Sequence, residues 1–446
     1  LPRSLAALFL VPLLIPPYII AVSWFDLLGR EGLLAHLFGA SATRATADLL
    51  LGLPGCVFVL FSVFLPIPML LTMIFSRTID PRLEEAGRLV SNWRGVLKGI
   101  TIPLVLPGVL LSALLVFLLA FGEFSVPNFL RYDVFPVESF TQFSAFYDFK
   151  AATAAAVPLA AVTLVLLLAE AAFLRERTYQ LRPSPGQGAF QVIGLGARRG
   201  WLLGLVCVTG FMIVLLPLIL LVVQSPAPAA YPAPFERAGA SLLRSLGYAV
   251  VGATLLTVLG FFTGYLVRTK ALRCWRSVDS LTIFLFALPS TLIGIGLISL
   301  WNTPWTNFIY ATPVIIILGY LAKYTALTSR ISVTQLAQIP ASMEEAAQVA
   351  GGGWFRRMFF IVAPLARRGL VAGWMVGYIF SLRDTGITML VYPPGHETLP
   401  VRILTSMANG SPQLIAALCM LMIAATLLPV GIFWVMPHRT ARKVAR

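Results

Sequence analysis

Two acidic clusters hold most of the chemical promise of this chain, LEEAGRLVSNWRGVLKGITIP (83–103) and MEEAAQVAGGGWFRRMFFIVAP (343–364). Each reads Glu-Glu-Ala, then a tryptophan, then a proline ten residues after that tryptophan. In the second copy, Ser342 followed three residues later by Glu345 has the pattern of a capping box. Glu344 and Glu345 also suit the positive end of a helix. Gly351-Gly352-Gly353 then offers a left-handed turn to end it. The first copy starts differently, with Asp80 as N-cap and Pro81 at the first helical position. A second short stretch, WFRRMFFIVAP, sets Trp354, Phe355, Met358 and Phe359 beside Arg356 and Arg357. The spacing predicts a helix–turn–helix in each copy. Its chemistry is the docking of a partner, because a connector resting on lipid headgroups explains one such loop but not two with a shared pattern.

Catalytic chemistry is not on offer. No Gly-Lys pair occurs, so there is no Gly-Lys-Ser/Thr loop to cradle the phosphates of ATP. Gly194-Leu195-Gly196 with Gly200 is off the dinucleotide-binding spacing, and His396-Glu397 lacks the second histidine of a zinc-protease helix. His36, His396 and His438 are scattered. Cys56, Cys207, Cys274 and Cys419 stand far apart in largely apolar stretches, without zinc or redox spacing. The expectation is a chain with no catalytic residue, no metal site and no cofactor of its own.

The elements that must position the clusters are membrane helices. The chain is 58% hydrophobic and only 11% charged, against roughly 25% charged for soluble domains. Apolar runs near twenty residues long each suffice to cross a hydrocarbon core about 30 Å thick. The alternating ten-residue segments of a β-barrel are absent. The fold class expected is therefore all-α and polytopic. Ten spans can be drawn, at about 5–25, 50–75, 103–122, 153–174, 201–223, 245–267, 279–300, 309–329, 363–382 and 413–436.

Charge sorts the connections between these spans. Arg77, Arg82, Arg88, Arg94 and Lys98 fall on one side. With them go Arg175, Arg177, Arg182, Arg198 and Arg199, then Arg268, Lys270, Arg273 and Arg276, then Arg330, Arg356, Arg357, Arg367 and Arg368, and the tail from Arg439 to Arg446. The other side is sparser and mixed in sign: Asp26, Glu31, Glu123, Asp133, Glu138, Asp148, Glu236 and Asp384. The positive-inside rule places the first set, the C-terminus and both acidic clusters in the cytoplasm. Topology thus accounts for the net charge of +15, and no nucleic-acid partner is called for.

The clusters belong to a larger repeat. Gly108 corresponds to Gly369, Glu123 to Asp384, FPVESFT (135–141) to LPVRILT (399–405), and LLIPPYIIAVSW (13–24) to FALPSTLIGIGLISLW (286–301). Paired helices run the same way across the membrane, so the duplication is parallel rather than inverted. The domains expected are a first half over 1–174 with its loop at about 77–103, a polar linker over 175–200, and a second half over 201–446 with its loop at about 330–364. The first half has four spans and the second six, and the chain begins at Leu1 rather than Met. The repeat therefore leads us to expect about twelve spans in the full-length protein, two of them ahead of Leu1.

Glu123 and Asp384 each lie twenty positions beyond their loop proline, about 30 Å of helix. That puts both at the outer membrane face, related by the pseudo-twofold axis of the duplication. They either line or gate a translocation pathway, or are interfacial acids that end a helix. Arg383 beside Asp384 weighs against a cation site. Lys323, in an otherwise apolar span, is expected to snorkel.

Here the sequence resembles a known family. Glu345-Ala346-Ala347, Gly351, Ile361 and Ala363-Pro364 match the signature of ABC-importer permeases, with Ala363 in place of its leucine. The first copy departs from it: Glu85-Ala86-Gly87 replaces Glu-Ala-Ala, one residue is missing before Trp93, and Val90-Ser91-Asn92 stands at the turn. The resemblance implies that each loop is a coupling helix seated in a groove of a cytoplasmic ATPase subunit. By position, Glu344, Glu345, Ala346, Ala347 and Gly351 would contact one ATPase copy, and Glu84, Glu85 and Ala86 the other. It further implies ATP and Mg on those two partners, a periplasmic or extracellular substrate-binding protein, and a multi-pass place in a bacterial inner membrane. The fused two-half arrangement, with IPPYIIAVSWFDLLG (15–29) and VYPPGHETLPVRI (391–403), is most similar to ferric-iron permeases. Thiamine and aminophosphonate permeases are the alternatives. A self-sufficient secondary transporter or channel, or a membrane scaffold, is the rival from another class. The parallel repeat and the lack of an ionisable relay in the spans oppose it.

Overall fold

The computed structural model describes residues 5, 8–39, 41, 43–77, 79–173, 198–225 and 232–444. The chain is 82% helical and holds no strand among these residues, an all-α polytopic membrane protein. Among the described residues, six single helices are long and apolar enough to cross a membrane: Trp93–Phe121, Phe149–Glu170, Arg199–Gln224, Ala238–Thr269, Val314–Leu336 and Pro412–Ile432. Three bent pairs raise the number to as many as nine. They are Arg44–Leu50 with Leu53–Phe64, Trp275–Ala287 with Ser290–Trp301, and Trp354–Leu365 with Arg367–Leu382. The span drawn at 5–25 is not a single helix. It breaks between Val11–Leu14 and Pro17–Leu28, because two consecutive prolines remove backbone donors and Pro16 sits at φ −56°, ψ 137°.

The chain divides into two compact units. One comprises Leu1–Val126, Leu130–Tyr132 and Pro158–Leu220; the other comprises Pro127–Phe129, Asp133–Val157 and Leu221–Arg446. Of the expected linker at 175–200, residues 175–197 lie outside the described residues.

The duplication is legible in the order of elements. Pro289 sits at φ −54°, ψ 141°, the conformation of Pro16, and the helices that follow, Pro17–Leu28 and Ser290–Trp301, are both 12 residues long. Further on, each half has a loop helix (Pro81–Val90; Ala341–Val349), a four-residue helix (Trp93–Val96; Trp354–Arg357) and a π-helical turn (Leu97–Thr101; Met358–Val362). A longer apolar helix closes each succession, Ile102–Phe121 in the first and Arg367–Leu382 in the second. They differ in course, since the second is bent by 76° after Leu365.

Small residues set the packing, as expected where lipid tails offer helices no hydrophobic drive to associate. In the second unit, Gly252, Gly260 and Gly264 of the Pro232–Thr269 helix meet Tyr320, Thr328 and Ser332 of Val314–Leu336 in the same order, so these helices run parallel. A Cβ on Gly260 would lie 2.2 Å from the Thr328 hydroxyl, an approach only glycine permits. Gly369 meets Gln335 while Gly377 meets Ala253 and Leu256, which sets Arg367–Leu382 antiparallel to both. In the first unit, Gly108 packs against the Phe75 ring and Trp24 meets Phe58 edge-on at 4.8 Å.

Candidate functional site

The second loop hangs from the spans that flank it. Arg268, in the last turn of Pro232–Thr269, donates to the Ile339 carbonyl at 2.5 Å. Beneath the loop, Phe261, Leu336, Met358, Val362 and Ala366 form a small buried core, and Trp354 stacks on Phe262 at 6.2 Å. The loop helix starts at Ala341 with Pro340 as its N-cap (φ −60°, ψ 136°) and without a side-chain cap. The expected capping box does not form. The helix begins one residue before Ser342, so that hydroxyl lies inside the first turn and not ahead of it.

The end of the helix is built as expected. Gly351 takes φ +79°, its N–H donates to the Gln348 carbonyl at 3.0 Å, and Gly352 N–H donates to Ala347 at 2.9 Å. These are the paired bonds of a Schellman motif.

The first loop reaches a similar shape with other parts. Asp80 caps Pro81–Val90 by accepting from Arg82 N–H at 3.0 Å, with Pro81 at the first position. Its end has no left-handed residue. Ser91 is extended at φ −145°, ψ 165°, and Asn92 caps the next helix by accepting from Gly95 N–H at 3.0 Å. Gly87 stands where the second copy has Ala347, and a Cβ there would lie 2.6 Å from Ile100 Cδ1, the movable end of that side chain.

The helices present the same faces. Glu84 and Gly87 in one, and Glu344 and Ala347 in the other, are half-buried. Glu85 and Ala86, and likewise Glu345 and Ala346, are exposed. So are the aliphatic side chains at the far ends, Leu89 (89%) and Val90 (90%) in the first loop and Val349 (89%) in the second. Glu344 Oε1 accepts from the Tyr265 hydroxyl at 2.5 Å, and Glu84 Oε1 accepts from the Thr101 hydroxyl at 2.7 Å. Of the residues the resemblance points to, Glu84 and Glu344 accept these hydrogen bonds on the inward face, and Glu85, Ala86, Glu345, Ala346 and Gly351 are exposed.

Asp384 and Glu123 both sit beside the start of a short helix. Asp384 is 4% exposed; its Oδ1 accepts from Ile387 N–H (3.2 Å), Thr388 N–H (3.0 Å) and the Thr388 hydroxyl (3.0 Å), and its Oδ2 accepts from Tyr324 (2.7 Å). Glu123, half-buried, accepts from the N–H of Ser125 at 2.9 Å and from its hydroxyl. Lys323 does not snorkel to the surface. Its ammonium donates to the Leu288 carbonyl at 2.8 Å, where the broken span leaves a helix C-terminus that attracts a cation.

The stretch VYPPGHETLPVRI is pinned to Pro232–Thr269. Tyr248 OH and His396 Nδ1 are 2.9 Å apart, Ser245 accepts from Leu399 N–H at 2.6 Å, and Glu397 pairs with Arg402 at 3.2 Å. Among the described residues no group of three or more His, Cys, Asp or Glu is placed to hold a metal ion.

Sequence reasoning missed Tyr265, Tyr324 and Thr101, and the buried Asp279 that pairs with Arg330 at 2.6 Å. The only available signal was a hydroxyl or carboxyl in an otherwise apolar span.

No family model matches the chain. It is similar to transport permeases of known name. "Putative ferric transport system permease protein FbpB 1" of Haemophilus influenzae is 22% identical over 422 residues, 88% of this chain and 65% of the relative. The ferric transport system permease protein FbpB of Actinobacillus pleuropneumoniae is 21% identical over 431 residues, 90% of this chain and 61% of the relative. The putrescine transport system permease protein PotI of Escherichia coli is 26% identical over 206 residues, 45% of this chain and 73% of the relative. The chain spans less than two thirds of the length of the two ferric permeases.

Proposed function

We propose that this chain is the membrane-spanning permease subunit of an ABC importer, with ferric iron as its substrate. Its helices form the translocation path. Its two loops take one cytoplasmic ATPase copy each, and a substrate-binding protein delivers the cargo from outside. ATP and Mg belong to the ATPase, so the chain itself hydrolyses nothing. In this reading the loops and the C-terminus face the cytoplasm of a bacterial inner membrane. Glu345, Ala346 and Val349 dock one ATPase, with Gly351 shaping the end of that surface, and Glu85, Ala86 and Leu89 dock the other. Glu123 and Asp384 shape the path by fixing the starts of the helices beside it. The halves divide as 1–174 and 201–446 around the linker.

One observation carries the reading. A Glu-plus-small-residue face is turned inward and a Glu-Ala-aliphatic face outward, twice, at matching places in a chain similar over 88% of its length to a ferric transport permease. The test is to purify the tagged chain from its native membrane, identify the ATPase and binding protein that come with it, and reconstitute all three in liposomes. ATP-dependent uptake of radiolabelled ferric iron is expected. Uptake of putrescine or 2-aminoethylphosphonate instead would replace the substrate, and uptake without any ATPase would overturn the importer.

A further inference from the structure

A loop helix joined to the membrane at both ends by a few residues would swing freely unless something held its inner face. In both loops that face has the same two members, three residues apart: a glutamate and a small residue (Glu84 with Gly87; Glu344 with Ala347), all half-buried. The small residue lets the helix approach closely, as the 2.6 Å from a Cβ on Gly87 to Ile100 attests. The glutamate receives a hydroxyl. In the first loop the donor is Thr101, 17 positions downstream in the π-helical turn that opens the next span. In the second it is Tyr265, 79 positions upstream in the last turns of a different helix. The position matching Thr101 is Val362, which is buried and has no hydroxyl to offer. Two unrelated donors thus reach one acceptor position.

We propose that Glu84 and Glu344 are positioning residues. Each ties its loop helix to the spans and passes the motion of the docked ATPase into them, while the neighbouring Glu85 and Glu345 face the ATPase. This inference rests on the importer reading for what the loop docks, though not for the tether itself. A carboxylate accepting from a hydroxyl forms a charge-assisted bond, stronger and shorter than one between neutral groups. In a helix tied at few points, that bond decides whether loop and span move together or apart.

The test uses the full chain with the ATPase that co-purifies, reconstituted with the binding protein. Tyr265→Phe, a change of one oxygen, should keep the ATPase bound. It should cut substrate-stimulated ATP hydrolysis and uptake by about tenfold, the factor worth one such bond. Glu344→Ala should do the same, the double variant should be no worse than either single one, and Glu344→Gln, which keeps the acceptor oxygen, should restore most of the coupling. Thr101→Val should repeat the pattern for the first loop. Release of the ATPase by Glu344→Ala with Tyr265→Phe unaffected would make Glu344 a docking contact and overturn the tether.

If the wild-type chain retains no ATPase, the importer reading fails, and amide hydrogen exchange over residues 341–350 then decides the tether by itself. Faster exchange in Tyr265→Phe supports it; unchanged exchange overturns it.

Discussion

In the first loop, Asp80 and Asn92 cap both short helices with their side chains, and the backbone between them needs no unusual conformation. In the second, Pro340 and Gly353 stand at those cap positions with no side-chain bond, and the work falls to Gly351 at φ +79°. The acids beyond the loops differ as well. Asp384 is buried and receives four hydrogen bonds, whereas Glu123 is half-buried and serves one residue, Ser125. What the two loops share is the inward face and its tether. Local devices for starting and stopping a helix are interchangeable; the face turned to the spans is not. Sensitivity to mutation should therefore differ between the halves wherever the devices differ.

The largest contrast should lie at the acids. Asp384→Ala strands the Tyr324 hydroxyl and two backbone N–H groups in a buried site, at about 1–3 kcal/mol for each group left without a partner, and leaves the Thr388 hydroxyl only that of Tyr320 at 3.2 Å. It should markedly lower the yield and melting temperature of the detergent-purified protein. Glu123→Ala frees only Ser125 and should cost about 1 kcal/mol. Melting curves followed by size-exclusion chromatography measure both. Equal losses would erase the difference between the halves. Asp384→Asn, which keeps one acceptor oxygen, then separates a role in transport from a role in folding.

Much of this was legible beforehand. Hydropathy and charge gave the all-α polytopic class, and the short helices Pro81–Val90 and Ala341–Val349 fall within the loops that Glu-Glu-Ala, Trp and Pro mark out. The glycine run announced the left-handed turn, because few other residues take positive φ cheaply. Three things were hidden. Ser342 and Glu345 fit a capping box by spacing, yet Pro340 starts the helix a residue early, and no pattern of types reveals which residue begins the first turn. The prolines at 16 and 289 were visible as interruptions, but not that the helices on either side of the second meet at 112°. The hydroxyls of Tyr265 and Thr101 stand far from their glutamates in sequence and depend on packing that periodicity does not encode.

At the turns, Gly351→Val should be the next most damaging change. Nothing lies within 4 Å of a Cβ there, so its effect isolates the backbone: about 1–3 kcal/mol for holding a β-branched residue in the left-handed region. Substrate-stimulated hydrolysis in the reconstituted complex should fall sharply. At the turn of the first loop, Ser91→Val should be neutral, since its extended backbone suits valine. A harmful Ser91→Val would mean that the two turns are equivalent after all.

Glu345→Ala should have a smaller and cleaner effect than a capping box would give it. With no cap to lose, the melting temperature should stay unchanged. ATPase retained on the purified chain should drop by a few-fold, the scale of one exposed ion pair at about 0.2–1 kcal/mol. A fall in melting temperature without a fall in retention would assign Glu345 to the loop's own stability.

The smallest contrast concerns how the loop helices begin. Asp80 accepts from Arg82 N–H at 3.0 Å, so Asp80→Ala leaves that donor to water and should weaken the first turn of Pro81–Val90 by about 1 kcal/mol. Amide exchange at Arg82 and Leu83 should then quicken by about fivefold, the factor that 1 kcal/mol represents. Ser342 lies one position inside its helix, where it caps nothing. Ser342→Ala should leave exchange at 343–345 unchanged or slow it slightly, because alanine is the better helix former by a few tenths of a kcal/mol. If Ser342→Ala quickens exchange as much as Asp80→Ala does, the capping box forms in solution and both loops start their helices by side-chain capping. If it does not, proline alone sets the start of the second helix, and its place depends on the tether between Glu344 and Tyr265.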